Sequence, residues 1–264
     1  WLAQKPQTSK LTSATNLVPV IGDQFLVLVV DRHQGQLMRI GIGHEVVVSP
    51  SLSADGQQVA VSTSSSLTTT GWSTIAEVHD LQQGMIHRVG RRVYGLAPPN
   101  QDDLRPTLSA DGSTVVFEGP AGDSIQLGSA SIRSLYAVDI ESNVSQPVSI
   151  SSHGNLGNRA STLTSQALSG DGRLAVFESR AFNLVSGDIN GHSDVFIRDR
   201  YSDEVSMLSA NPNGQSGNAA SRNAVIASDG SVVAFESDAS DLIPGSGLGQ
   251  TAVYILDRAS QSMM

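Results

Sequence analysis

The sequence predicts an all-β fold, a β-propeller of four-stranded antiparallel blades, on three observations. An Asp-Gly pair between apolar runs returns at 55, 111, 171 and 229, at spacings of 56, 60 and 58 residues. A second aspartate closes a strand at 80, 139, 199 and 257, which is 25, 28, 28 and 28 residues after each Asp-Gly. The run after each Asp-Gly, such as Leu174-Ala175-Val176-Phe177, is apolar at both parities, as a strand covered on both faces must be. Four-stranded units repeated in tandem and covered on both sides match propeller blades, each packed between neighbours. A β-sandwich has no reason to keep so regular a period.

The elements follow in order. Residues 1–45 are expected to form a partial blade, because Asn16-Leu17-Val18 and then Phe25 to Asp31-Arg32 match Asn183-Leu184-Val185 and then Val195 to Asp199-Arg200. No Asp-Gly stands near residue 3, where the period would put it. The chain opens on Trp1 rather than Met, which reads as a processed protein or a fragment. Blades are expected at about 46–95, 104–151, 161–210 and 221–264, all within one domain spanning 1–264. Each opens with a hairpin at its Asp-Gly, the pair that best tolerates the positive φ of a tight turn. The third strands are expected at Thr74 to Asp80, Ser134 to Asp139, Asp194 to Arg200 and Thr251 to Arg258. Glu204 to Leu208 and Ser260 to Met264 return as fourth strands. The unfinished first blade is expected to be completed by another chain, by a segment missing from this one, or by an atypical strand from residues 1–15.

Composition removes several function classes. The 264 residues carry a net charge of −9, no cysteine and only two lysines, Lys5 and Lys10. Thiolate catalysis, disulfides and Cys-ligated zinc are excluded. An acidic chain without a basic stripe is a poor binder of nucleic acid. No apolar run of about 18 residues exists to span a membrane as a helix.

The pattern Leu-Ser-x-Asp-Gly followed by Asn-Leu-Val-x-Gly-Asp-x-Asn-Gly-x-x-Asp-Val-Phe-x-Arg-Asp-Arg, clearest over residues 168–200, resembles the TolB-type (WD40-like) β-propeller repeats of bacterial envelope and secreted proteins. Copies at 226–258, 52–80 and 108–139, with the fragment at 16–40, extend the resemblance over nearly the whole chain. The additional N-terminal α/β domain of TolB has no visible counterpart, so the chain is not read as TolB itself. The resemblance implies a periplasmic or extracellular location. It also implies a role as a protein-interaction platform, a polysaccharide-binding or polysaccharide-cleaving module, or a peptidase cover.

Candidate sites are few. In Gly187-Asp188-Ile189-Asn190-Gly191-His192-Ser193-Asp194, the side chains of Asp188, Asn190 and Asp194 offer oxygens of the kind Ca²⁺ takes, making calcium the one cofactor candidate. The same residues fit an Asx-stabilised turn. Glu118, Glu178 and Glu236 each follow a Phe at one place in the repeat. Paired carboxylates can cleave glycosides, but a residue repeated in every blade is read as structural, with an arginine as its expected partner. The six histidines show no close metal-binding pair. Trp72, read as part of an irregular loop, is the best single aromatic anchor for a partner. Arg91, Arg92 and Tyr94, beside the proline-containing stretch 94–103, are the other docking candidates. The functional expectation is a non-catalytic scaffold with a protein partner and no catalytic residues; the alternative is a polysaccharide module.

Overall fold

The computed structural model describes residues 15–20, 24–31, 36–40, 46–67, 71–94, 104–119, 133–245 and 250–264. Among these residues all regular structure is strand, and no helix is long and apolar enough to cross a membrane. The first sheet is β1 (Thr15–Val20), β2 (Gln24–Asp31) and β3 (Gln36–Ile40). The second is β4 (Val46–Leu52), β5 (Gln58–Leu67), β6 (Gly71–Asp80) and β7 (Met85–Tyr94). The third is β8 (Thr107–Leu108), β9 (Thr114–Glu118), β10 (Leu135–Asp139) and β11 (Ser145–Pro147). The fourth is β12 (Ser161–Thr162), β13 (Leu174–Ser179), β14 (Asp194–Asp199) and β15 (Glu204–Met207). The fifth is β16 (Ser221–Ile226), β17 (Val232–Ser237), β18 (Ala252–Asp257) and β19 (Ser262–Met263). Each four-stranded sheet is an antiparallel meander in chain order, as a propeller blade is.

The N-terminal sheet departs from the sequence match. Asn16, Leu17 and Val18 lie in β1 and pair with Leu28, Val27 and Leu26, whereas Asn183 to Val185 sit in a loop. The segment 15–20 finds a strand partner across a short connection, and pairing outweighs the local similarity.

The core lies in the seams between sheets. In β9, Val115 and Phe117 face the second sheet among Ala60, Ala76, Val78 and Val89, while Val116 faces the fourth among Ala175 and Val195. Opposite parities thus feed opposite cores, and every residue of β9 is buried. The fifth sheet is covered on one side only. Val233, Phe235, Tyr254 and Leu256 point inward, whereas Val253 and Ile255 on the other face are 64% and 40% exposed.

Hydrogen bonds also join neighbouring sheets at or near their first strands. The Leu108 amide donates to Ser51 Oγ at 2.9 Å, and the Thr107 hydroxyl donates to the Thr164 carbonyl at 3.4 Å.

The period has a physical origin. The residue after each closing aspartate sends its amide back to the residue just beyond the Asp-Gly: Leu81 to Gln57, Ile140 to Ser113, Arg200 to Arg173 and Arg258 to Ser231, at 2.8–3.0 Å. Arg200 and Arg258 add a guanidinium bond, 2.6 Å in each case, to the carbonyls of Gly172 and Gly230.

Candidate functional site

The Asp-Gly turns share one construction. In three of them a serine hydroxyl bridges the turn: Ser53, Ser109 and Ser169 donate to Asp55, Asp111 and Asp171 at 2.6–2.7 Å. The same hydroxyls accept the amides of Gln58, Thr114 and Leu174. Oδ1 of each aspartate also caps the amide two residues on, as in an Asx turn. In the fifth sheet Ala227 replaces the serine, and Ser231 supplies the hydroxyl to Asp229. Gly56, Gly112, Gly172 and Gly230 all have φ between 66° and 75°.

These turns are tied into a row. The Ala54 amide donates to the Ala110 carbonyl at 2.7 Å, Asp111 to Gly170 at 2.9 Å, and Gly170 to Ser228 at 2.6 Å. The row borders a depression of about 690 Å³ lined by Asp111, Asp171, Asp199 and Asp229 with Arg173 and Arg258. Four carboxylates outnumber two guanidiniums, so the mouth is acidic. The Ser169 hydroxyl holds the Asp171 carboxyl below its ordinary range, and the Ser231 hydroxyl does the same for Asp229. Arg173, 2.6 Å from Asp199, lowers that carboxyl to about 2.

The Arg173–Asp199 pair makes an acid-limb prediction. A depressed carboxyl contributes stability that is present above its unfolded value near 4 and lost as pH falls through the folded value near 2. Arg173→Met should flatten this part of the melting-temperature profile between pH 5 and 2. Because Arg173 is substantially exposed, the effect is small and should shrink further in high salt.

The repeated glutamates have structural partners, as the sequence suggested: Glu118 and Glu178 bond to the next sheet, and Glu236 pairs within its own. Glu118 accepts the Leu163 amide at 3.4 Å and lies 3.6 Å from Arg133. Glu178 accepts the Asn223 amide at 2.6 Å. Both bonds span 45 residues. Glu236 lies 3.4 Å from Arg222.

Trp72 is not in a loop. β5, β6 and β7 extend to ten residues each, and Trp72 pairs with Tyr94 across β6 and β7. Arg91 and Arg92 also lie in β7, opposite Ile75 and Thr74. The Ser- and Thr-rich ends of these strands, read as irregular, keep pairing because backbone hydrogen bonds do not require apolar side chains. The side chains of these four docking candidates, and residues 95–103 beyond them, lie outside the described residues.

The three calcium candidates divide. Asn190 is spent on the fold: its Oδ1 accepts the His192 amide at 2.6 Å, and its Nδ2 donates to Asp194 Oδ2 and to the Gly217 carbonyl. Asp194 is fully buried and also accepts the Ser209 hydroxyl at 2.6 Å. Asp188 is 6% exposed, and neither of its carboxylate oxygens has a hydrogen-bond partner. Burial, with the adjacent Asp194 charge, pushes its carboxyl up to about 6. The acidic depression escaped the sequence reading. Each of its aspartates was visible as a turn residue, but nothing local said that the turns share one mouth.

No protein-family model and no curated protein matches the chain. Among solved structures it is similar to prolyl endopeptidases, at 14% identity and a TM-score of 0.54, covering 91% of this chain and 32% of theirs. It is also similar to TolB from Acinetobacter baumannii, at 16% identity and a TM-score of 0.49, covering 91% of this chain and 48% of that one. A glycoside hydrolase of family GH74 from Niastella koreensis gives 10% identity and a TM-score of 0.46, covering 90% of this chain and 33% of that one. The chain thus spans about half the length of the TolB structure and about a third of the other two. At these identities the likeness is one of fold: the chain has the four-stranded antiparallel sheets of a β-propeller.

Proposed function

We propose that this protein is a non-catalytic β-propeller scaffold of the bacterial envelope or exterior, and that its acidic depression receives a cationic segment of a protein partner. The carrying observation is the set of carboxylates around that depression. Each of Asp111, Asp171 and Asp229 gives one oxygen to its own turn and turns an acidic edge to the opening. With Asp171, Asp199 and Asp229 held below their ordinary range, these groups stay ionised near neutrality. That suits them to hold a cation and makes them poor proton donors for glycosidic chemistry. The row of backbone bonds between turns keeps the mouth rigid, which lowers the ordering cost of binding. The envelope or extracellular location rests on the resemblance of the repeats.

The test is a calorimetric titration with an arginine-rich decapeptide, against an acidic decapeptide and a neutral oligosaccharide. The basic peptide should bind, more weakly at higher salt. The triple variant Asp111→Asn, Asp171→Asn, Asp229→Asn keeps the turns, because asparagine makes the same Asx bonds. It should lose about tenfold or more in affinity. Oligosaccharide binding that the triple variant leaves intact would overturn the reading in favour of a polysaccharide module.

A further inference from the structure

Asp188 lies on the loop between β13 and β14, and that loop folds against the connection 209–220. Gly187 approaches Gly214 so closely that a Cβ at 187 would stand 2.4 Å from the Gly214 carbonyl. The Ser216 amide donates to the Gly187 carbonyl, and the Ser216 hydroxyl accepts the amides of Ile189 and Asn190. The Ile189 and Asn190 amides are thereby spent on Ser216, and the Asn190 amide draws the Asp188 carboxyl down only against the larger effect of burial. What is left over is negative: the Asp188 carboxylate, nine-tenths buried and unpartnered, beside Asp194, whose oxygens already accept two hydrogen bonds.

The repeat shows that packing does not require this charge. In the fifth sheet Ala252 stands at the position of Asp194, and in the third Ser134 does. The position of Ser209, by contrast, is kept: Ser149 accepts the Leu135 amide as Ser209 accepts that of Val195. The third sheet thus makes the same serine bond with Ser134 where the fourth carries Asp194. A buried carboxylate with no donor costs several kcal/mol unless a proton or a cation compensates it.

We propose that Asp188 and Asp194 hold a Ca²⁺ ion between the β13–β14 loop and the 209–220 connection. Each carboxylate oxygen retains lone-pair capacity for a metal. Ca²⁺ accepts a flexible set of six to eight oxygens, so backbone carbonyls and water complete a sphere to which the side chains give only two carboxylates. The proposed ligands are oxygens only, the donor type that suits Ca²⁺ rather than zinc. Asn190 is a positioning residue: it fixes Asp194 through Nδ2 and the loop through Oδ1.

The experiment measures thermal unfolding and calorimetric binding with CaCl₂ as the probe, against NaCl at equal ionic strength and against MgCl₂. Wild type should rise by several degrees in millimolar Ca²⁺, with a smaller response to Mg²⁺. Asp188→Asn should unfold at higher temperature than wild type without calcium, because an uncompensated charge is gone, and should not respond to calcium. A wild type indifferent to Ca²⁺, or an Asp188→Asn variant that keeps the full response, overturns the proposal. Failure here leaves the cationic-segment reading standing, because the acidic depression shares no residue with this loop.

Discussion

Alanine at Gly172 is expected to destabilise the protein by about 2–5 kcal/mol, from the left-handed backbone and from overpacking together. Gly172 has φ 66°, and a Cβ there would stand 2.5 Å from both Cβ and Oγ1 of Thr114 on the preceding sheet. The crowding is systematic. A Cβ at Gly112 would meet Gln58, and one at Gly230 would meet Leu174, at 2.5 and 2.6 Å. Gly84 is the control. Its φ is 68°, but nothing lies within 4 Å of the added carbon. Equivalent positions in the other second hairpins are Asn143, Asp203 and Gln261, all with positive φ. Gly84→Ala should therefore cost about 1 kcal/mol, from backbone conformation alone. Urea unfolding of both variants checks the contrast; equal losses would mean that the sheet-to-sheet contact carries no weight.

Phe177→Ala is expected to cost about 3–5 kcal/mol, the usual range for emptying a buried aromatic site. Phe177 is 1% exposed and stacks on Phe196, its partner across the ladder, with ring centroids 5.6 Å apart. Phe235 and Tyr254 stack in the same register at 5.7 Å, and Phe117 and Tyr136 at 6.5 Å. The pair lies on one face of the fourth sheet and fills the core there, so a cavity has little means of collapse. Tyr201→Ala, at a residue 71% exposed, should change stability by less than about 0.5 kcal/mol. Thermal and denaturant unfolding of the two variants measures the difference.

Much of this architecture was legible in the sequence. Asp-Gly between apolar runs marked each first hairpin because only that chemistry suits the turn. The doubly apolar second strands announced sheets covered on both faces. The offset to the closing aspartate, 28 residues in three repeats and 25 in the other, reflected the ladder between the second and third strands, with a backbone bond at its end. Other features were not legible because they depend on a neighbouring sheet. The glycine of each Asp-Gly is fixed twice, by φ and by a contact with the sheet before it, and only the first reason is local. In the second sheet Val61 faces Glu77 where the others carry aromatic pairs, and Glu77 is buried against His79 and Arg88 at 3.2 Å each. Nothing in the sequence set that glutamate apart from an exposed one. At Asp188 to Asp194, composition suggested ligands, but only coordinates distinguish the asparagine that is spent from the aspartate that is not.

The bonds between sheets have a consequence for how such a chain can change in length. The glutamate bonds reach 45 residues ahead, and the turn and inner-strand bonds link equivalent points on adjacent sheets. The couplings run both ways: the glutamate bonds take a donor from the later unit to an acceptor in the earlier one, and the turn bonds take a donor from the earlier unit to an acceptor in the later one. A duplicated or deleted whole repeat would find its couplings intact, whereas the loss of a few residues within one would break two seams at once. The natural step of growth for this scaffold is a whole blade.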